Sequence, residues 1–385
     1  MKKKIKVLQV IPRLGYGGAE TGCYDLAHFL HEQGYKSYIA TSGGELLQFV
    51  NKKKVRILKL PVQTKNPILI LFNAIIISLI IIFYNINIVH ARSRAPAWSC
   101  FLATKITFRK FVTTFHGTYN FANRFKKFYN SVMVRSHLVI AGSNFIFSHI
   151  NEHYSKFFKN KKRKMLVIFR GINTDYYDPM SVDNSKVFAL KKQWGVNDEQ
   201  SVILMPGRLT GWKGQEIFVN AIHILNSTET EKSFIAVILG NDQGRKVYKK
   251  KLQSLVDKYR LNKKIIFIPH CQNMPVAYKL SKIVVSASIE PEAFGRVSVE
   301  AQSMKIPIIA TNLGGSKETI INEKTGFLIN SNDPKVLADK LKNILNFDNN
   351  SLQSIGLEGR KNVLKKFDVE KMCKSTLAEY KKILS

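Results

Sequence analysis

The feature that most constrains this chain is an alternation that runs twice. Short apolar runs of strand length alternate with stretches long enough for a helix, first over residues 5–169 and again over 202–328. Parallel strands need a crossover of a dozen or more residues, so this order calls for α/β architecture with parallel sheets. The first set of expected strands is 5–11, 35–41, 55–60, 85–90, 111–115 and 165–169. The second is 202–205, 234–239, 265–268, 283–288 and 306–311, with a further short strand near 325–328. A length of 385 residues suits two such units better than one large core.

Open α/β sheets bind ligands outside the carboxyl ends of their strands, so the turns that follow the strands are where chemistry is expected. The richest turn is Glu290-Pro291-Glu292-Ala293-Phe294-Gly295-Arg296-Val297-Ser298-Val299-Glu300. It reads as strand, loop and then helix, with Glu292 and Gly295 in the loop and Glu300 on the helix. A helix start offers free backbone N–H groups and the positive end of a dipole, suited to a phosphate or a sugar hydroxyl. A carboxylate accepts two O–H hydrogen bonds at once and so suits a ribose diol. The plain alternative is a turn acid and a solvated helix face.

Other strand ends carry comparable groups. Gly15-Tyr16-Gly17-Gly18-Ala19-Glu20 opens a helix after the first strand, either as a tight turn or as a close approach of backbone to ligand. Arg92 and Arg94 follow the fourth strand and are expected on a crevice loop, where they hold an anionic acceptor or stay solvated. His116 ends the strand 111–115. Pro206-Gly207-Arg208-Leu209-Thr210-Gly211-Trp212-Lys213-Gly214 supplies two cations where the second alternation begins. Gly240 and Asn241 follow the next strand.

Taken together these stretches resemble the retaining glycosyltransferases of family GT4. Segment 290–300 resembles their E-x7-E signature, 17–20 their Gly-Gly-Ala-Glu loop, and 207–214 their G-R-x-x-x-x-K-G loop. Segment 314–318 resembles their G-G-x-x-E turn and 325–328 their T-G-x-L strand. Segment 170–177 resembles their N-G-[IV]-D-x-x-x-F entry to the second domain, with Arg170 and Asn173 as departures. The resemblance implies the GT-B fold, two Rossmann-like domains facing a cleft: residues 1–178 on the acceptor side, 179–367 for the nucleotide-sugar, and a final helix, 368–385, crossing back to the first domain.

The resemblance also implies roles. Glu292, with Ala293, Phe294 and Gly295, lies against the transferred sugar, and Glu300 accepts from the donor ribose. Arg208 and Lys213 hold the diphosphate, whose charge grows as it departs. His116 reaches the sugar near the reaction centre. Gly17, Gly18, Gly240, Asn241 and Arg296 border the donor, and Arg92 and Arg94 face the acceptor. No metal and no cofactor is expected, because no D-x-D-type motif occurs. Segment 92–98 is similar to transferases that build lipopolysaccharide core. Segments 292–301 and 92–98 together look like core mannosyltransferases, so the expected donor is GDP-mannose, with UDP-sugars as the alternative, and the expected acceptor is a lipopolysaccharide-core or lipid-linked glycan.

A formal net charge of +33 favours anionic partners. The basic clusters at 124–127 and 159–164 add to it. Segment Pro67–Tyr84 is apolar apart from Asn73 and Ser78, near the lower length limit for a membrane span. It is expected as a long helix with an exposed apolar ridge docking on an anionic membrane surface; a fully buried helix is the alternative. Cys23, Cys100, Cys271 and Cys373 are far apart, without a C-x-x-C pair, which fits a reducing cytosol. The expected location is cytoplasmic, peripheral on the inner face of the cytoplasmic membrane. No nucleic-acid module is visible, so a nucleic-acid partner is not expected. A basic nucleic-acid- or membrane-binding protein without transferase activity, and a GT-B nucleotide-sugar epimerase, are the competing readings.

Overall fold

A computed structural model of the chain describes residues 5–119, 123–159, 163–228 and 232–385. The basic positions Lys2, Lys3, Lys4, Lys161 and Lys162 lie outside the described residues. The chain divides into two compact units, one of residues 1–171 with 369–385 and one of residues 172–368.

In the first unit the strands are β1 (Lys6–Val10), β2 (Lys36–Thr41), β3 (Val55–Lys59), β4 (Ile88–Ala91), β5 (Lys110–Phe115), β6 (Leu138–Ala141) and β7 (Lys164–Val167). They pair in parallel in the order β3-β2-β1-β4-β5-β6-β7. Strand β6 has no counterpart in the expected alternation, which ran helices from 118 to 164. It is a fully buried run of four residues, too short to show a period of its own. The carboxyl-terminal helix, Val369–Leu384, belongs to this unit, and its Met372, Cys373, Leu377 and Tyr380 pack among Ile5, Leu26 and Val112. The Tyr380 hydroxyl lies 2.6 Å from His90 Nδ1, and His90 Nε2 lies 2.7 Å from Thr114 Oγ1. This chain of buried polar groups ties the last helix to the sheet.

Helix Pro67–Tyr84 begins on Pro67 with Asn66 as cap, whose side chain accepts from Ile68 N at 2.9 Å. It ends on Asn85 in the left-handed region. Its buried face is Ile70, Asn73, Ala74, Ile77, Ser78 and Ile81, at the helical spacing. Both polar residues are therefore turned inward, with Asn73 Nδ2 donating to Pro61 O and Ser78 Oγ to Ala74 O. Ile68, Leu69, Leu71, Phe72, Ile75, Leu79, Ile82 and Phe83 are exposed. The helix is an apolar ridge and is not fully buried.

The second unit holds β8 (Ser201–Pro206), β9 (Phe234–Leu239), β10 (Ile265–Ile268), β11 (Ser281–Ser286), β12 (Ile308–Thr311) and β13 (Phe327–Ile329). Their order is β10-β9-β8-β11-β12-β13, again parallel. The unit begins at Ile172 rather than at 179. Segment 172–178 is tied into it by Ile172 N to Phe367 O, Thr174 Oγ1 to Asp368 Oδ2, Ser303 Oγ to Tyr177 O, and the Arg360–Asp178 ion pair at 2.8 Å.

Each sheet reverses its strand order once, between β1 and β4 in the first and between β8 and β11 in the second. At such a switch point the two following loops leave on opposite sides and open a crevice. Gly17 and Gly18 follow β1 and Arg92 follows β4. In the second unit Arg208 and Lys213 follow β8 and Glu292 follows β11.

Candidate functional site

In the second unit, Lys213 Nζ lies 2.8 Å from Glu292 Oε1, and both side chains are largely buried. The turn that aims Lys213 depends on Gly214, which has φ +76° and whose Cβ, if present, would collide with Ala287 O. Glu292 Oε1 also accepts from Ser288 Oγ at 2.6 Å and Ser286 Oγ at 3.2 Å. Burial alone would raise the Glu292 carboxyl. The Lys213 ammonium and the two hydroxyls outweigh it and hold the group below the ordinary glutamate value. The result is a fixed carboxylate at the switch point.

The loop carrying Glu292 is braced from behind. Gly315 N donates to Glu292 O at 2.7 Å, and side chains at Gly314 or Gly315 would run into the backbone of residues 292–294. Phe294 is buried edge-on against Phe367, at 5.6 Å between centroids. Gly295 caps the helix Arg296–Ser303 at φ +85°, so the backbone turns into the helix beside Glu292.

Glu300 lies in a separate network. It is buried, accepting from Tyr278 Oη at 2.7 Å and from Arg296 Nε at 2.5 Å. Its oxygens keep lone pairs for further donors, because a carboxylate offers about four acceptor sites. Glu292 and Glu300 thus do not share a partner. Arg208 is exposed, and its side chain makes no hydrogen bond or ion pair among the described residues. Beside it a cavity of about 110 Å³ is lined by Leu209, Gly240, Asn241, Asp242, Phe267 and Pro269, among others. Gly240 stands where its Cβ would meet Gly207 O.

In the first unit, Gly17 precedes the helix Gly18–Glu32 as its cap. Arg92 stands in the short loop after β4, but its side chain is not solvated. It is buried, 5% exposed, with Nε and Nη2 both donating to Gln9 Oε1 (2.9 and 2.6 Å) and Nη2 to Gly22 O (2.9 Å). Gln9 is in turn held by Cys23 O. Arg94 departs from the loop expectation. It starts the helix Arg94–Ile106, lies 4.2 Å over the Tyr119 ring and donates to Asn130 Oδ1 at 3.2 Å. Strand β4 ends one residue ahead of Arg92, whose side chain reaches Gln9 on β1 and Gly22 on the helix Gly18–Glu32, and Arg94 falls on the first turn of the next helix.

His116 follows β5. Its Nε2 is sealed from solvent and has no hydrogen-bond partner among the described residues. Burial first, and then the charges of Arg92 and Arg170, push its pKa well below the ordinary value, so the ring is neutral at pH 7. Arg170 is buried beside it, donating to Gly18 O, to Thr21 Oγ1 at 2.9 Å and to Met372 Sδ at 3.2 Å. A side chain at Gly22 would collide with the Arg170 guanidinium.

Sequence reasoning missed several of these groups. Ser286 and Ser288 stand two apart at the end of an apolar strand, so they share one face, and that spacing was available as a signal. Arg170 was visible only as a departure from a motif. Gln9 and Tyr278 look like ordinary strand and helix residues and carry no local signal.

Residues 16–176 match the family described as Glycosyltransferase Family 4, and residues 187–362 the family described as Glycosyl transferases group 1. A solved glycosyltransferase from Rickettsia africae ESF-5 is 37% identical, covering 100% of this chain and 99% of that one, with a TM-score of 0.89. The chain belongs to the group 1 and family 4 glycosyltransferases. Its two parallel sheets with alternating helices are the Rossmann-like domains of the GT-B fold. HepE from Anabaena, solved with UDP and glucose, shares that fold at 20% identity, with 98% and 99% of the chains covered and a TM-score of 0.82. The capsular polysaccharide biosynthesis glycosyltransferase CapM of Staphylococcus aureus is 27% identical over 208 residues, 54% of this chain and 52% of that protein. This glycosyltransferase chain spans about half the length of the curated relatives it matches.

Proposed function

We propose that this glycosyltransferase moves a hexose from a nucleotide-sugar to a glycolipid acceptor, with retention at the anomeric carbon. The observation that carries the reading is the Lys213–Glu292 pair at the switch point of the second unit, with the unpartnered Arg208 on the same turn. Arg208 and Lys213 neutralise the departing diphosphate, whose negative charge grows in the transition state. Glu292, kept ionised, accepts from sugar hydroxyls and orients the ring. The amides of Ala293, Phe294 and Gly295 and the side chain of Arg296 complete the donor contact, Glu300 takes the ribose, and the cavity beside Gly240 and Asn241 takes the base. Neutral His116 of the first unit is assigned to the transferred sugar, as the family resemblance implies. In this reading the leaving phosphate accepts the acceptor's proton, and no metal takes part.

The finer assignments are a GDP-mannose donor, with a UDP-sugar as the alternative, and an acceptor of lipopolysaccharide-core or lipid-linked type. The likeness of segments 292–301 and 92–98 to core mannosyltransferases favours them. The protein works peripherally on the inner face of the cytoplasmic membrane. Two features support that location: eight exposed apolar side chains on the helix Pro67–Tyr84, and the net charge of +33.

The test is thermal denaturation against GDP-, UDP-, ADP- and CMP-sugars, followed by radiolabelled transfer to membrane glycolipid from the donor that protects. A ligand binding only the folded state at about a hundred times its Kd adds about 2.7 kcal/mol. Protection by one nucleotide-sugar with transfer to lipid supports the reading. Conversion of the nucleotide-sugar without acceptor would make the protein an epimerase, and protection by nucleic acid alone would end the enzyme reading.

A further inference from the structure

The first unit contains a second polar centre, built from its own residues alone. It is a cavity of about 20 Å³ whose wall includes Arg92, Thr114, His116, Gly142, Arg170 and Thr376. These residues come from the carboxyl ends of β4, β5 and β6, from the segment after β7 and from the last helix. This is where an open α/β sheet receives a ligand.

The charge of this centre is the informative part. The Arg92 guanidinium is buried, yet no carboxylate lies within ion-pair distance of it among the described residues. Its acceptors are the neutral oxygens of Gln9 and Gly22, and its Nη1 donates to no described residue. A guanidinium removed from water and met only by amide oxygens keeps a large desolvation cost that a counter-charge would offset. Arg170 adds a second buried guanidinium to the same wall, its place secured by the glycine at position 22. The unpartnered Nε2 of His116 supplies one more polar atom at the same place. Neutral imidazole can donate through it when the proton sits there.

The size of the cavity limits the ligand. A water needs roughly 10–15 Å³ by this measure, so about 20 Å³ admits one oxygen and not a sugar ring. We infer that this cavity of the first unit is an anion subsite that takes one oxygen of a phosphate or carboxylate group carried by the acceptor. Arg92 and Arg170 supply the charge and His116 Nε2 a hydrogen bond. Arg94, committed to Tyr119 and Asn130, is not part of it. Only the word acceptor rests on the transferase reading; the anion site stands on the first unit's own residues.

The experiment follows the imidazole resonances of the full chain, selectively labelled with 15N-histidine, while inorganic phosphate or acetate is added at constant ionic strength. His116 is expected to shift saturably with one of the two, and which one separates a phosphate from a carboxylate group. Arg92→Gln is expected to weaken that titration about tenfold or more, and Arg208→Gln in the second unit to leave it unchanged. Arg92→Lys, which keeps the charge but not the paired donors, serves if Arg92→Gln does not fold, and is expected to fall in between. No shift at His116 with either anion, or an equal shift in Arg92→Gln, overturns the site. Nucleotide-sugar protection of the same sample separates the two readings. Protection without a His116 response removes the subsite and leaves the transferase. A response without protection does the reverse.

Discussion

Lys213 Nζ and Glu292 Oε1 are 2.8 Å apart although 79 residues separate them in the chain. The sequence assigned one to a diphosphate and the other to a sugar; the fold makes them a single ion pair, braced by Ser286 and Ser288. In the proposed reaction this cation would bridge the carboxylate and the departing phosphate and couple donor orientation to leaving-group charge, so losing either residue would disturb both.

Breaking this pair tests its electrostatics. Lys213→Met leaves the Glu292 carboxylate buried without its partner and is expected to destabilise the second unit by about 3 kcal/mol at pH 7. In the native protein the Glu292 carboxyl is lowered below 4.5, so its contribution is full above that value and is lost as pH falls through the lowered one. In the variant, burial dominates and raises the carboxyl, so the deficit shrinks as pH falls from 7 towards 4. Calorimetric melting of both proteins over that range checks it; a deficit that is constant with pH would contradict the assigned pairing.

Arg208 is exposed and structurally unpartnered, so Arg208→Gln is expected to change stability by no more than about 0.5 kcal/mol. The same change should lower kcat/KM for the nucleotide-sugar about a hundredfold, the scale for losing one preorganised charge-stabilising group. Steady-state kinetics beside a melting curve separate the two effects. A large loss of stability would instead mark Arg208 as structural.

Gly22 lies inside a helix, where alanine ordinarily stabilises. Here Gly22→Ala is expected to cost about 2 kcal/mol, because the new methyl collides with the Arg170 guanidinium. In the Arg170→Ala background the same substitution should cost little or become favourable. Denaturant unfolding of the four proteins of this cycle measures the coupling.

The ridge on the helix Pro67–Tyr84 is tested by Ile75→Ser, Leu79→Ser and Phe83→Ser together. All three side chains are more than half exposed, so stability should change little. Co-sedimentation with vesicles of phosphatidylethanolamine and phosphatidylglycerol should fall at least about tenfold, because the apolar area that would leave water is removed. Unchanged binding, abolished by salt, would assign docking to the basic charge alone.

Much of this protein was legible as pattern. The twofold alternation announced two parallel sheets, and the chemistry-bearing turns lay at strand ends because that is where an α/β sheet exposes them. The helical period of Pro67–Tyr84 shows in its buried set, Ile70, Asn73, Ala74, Ile77, Ser78 and Ile81. These are local properties, set by spacings of two to a few residues. What only the tertiary structure decided are contacts between distant segments: Lys213 with Glu292, Arg92 with Gln9, Arg170 with Gly18, Tyr278 with Glu300. Strand β6 belongs with them, as four apolar residues become a strand through the neighbours on either side. Whether an arginine at a strand end faces solvent or is buried depends on which neutral oxygens the fold brings to it. Residue spacing carries no record of those partners.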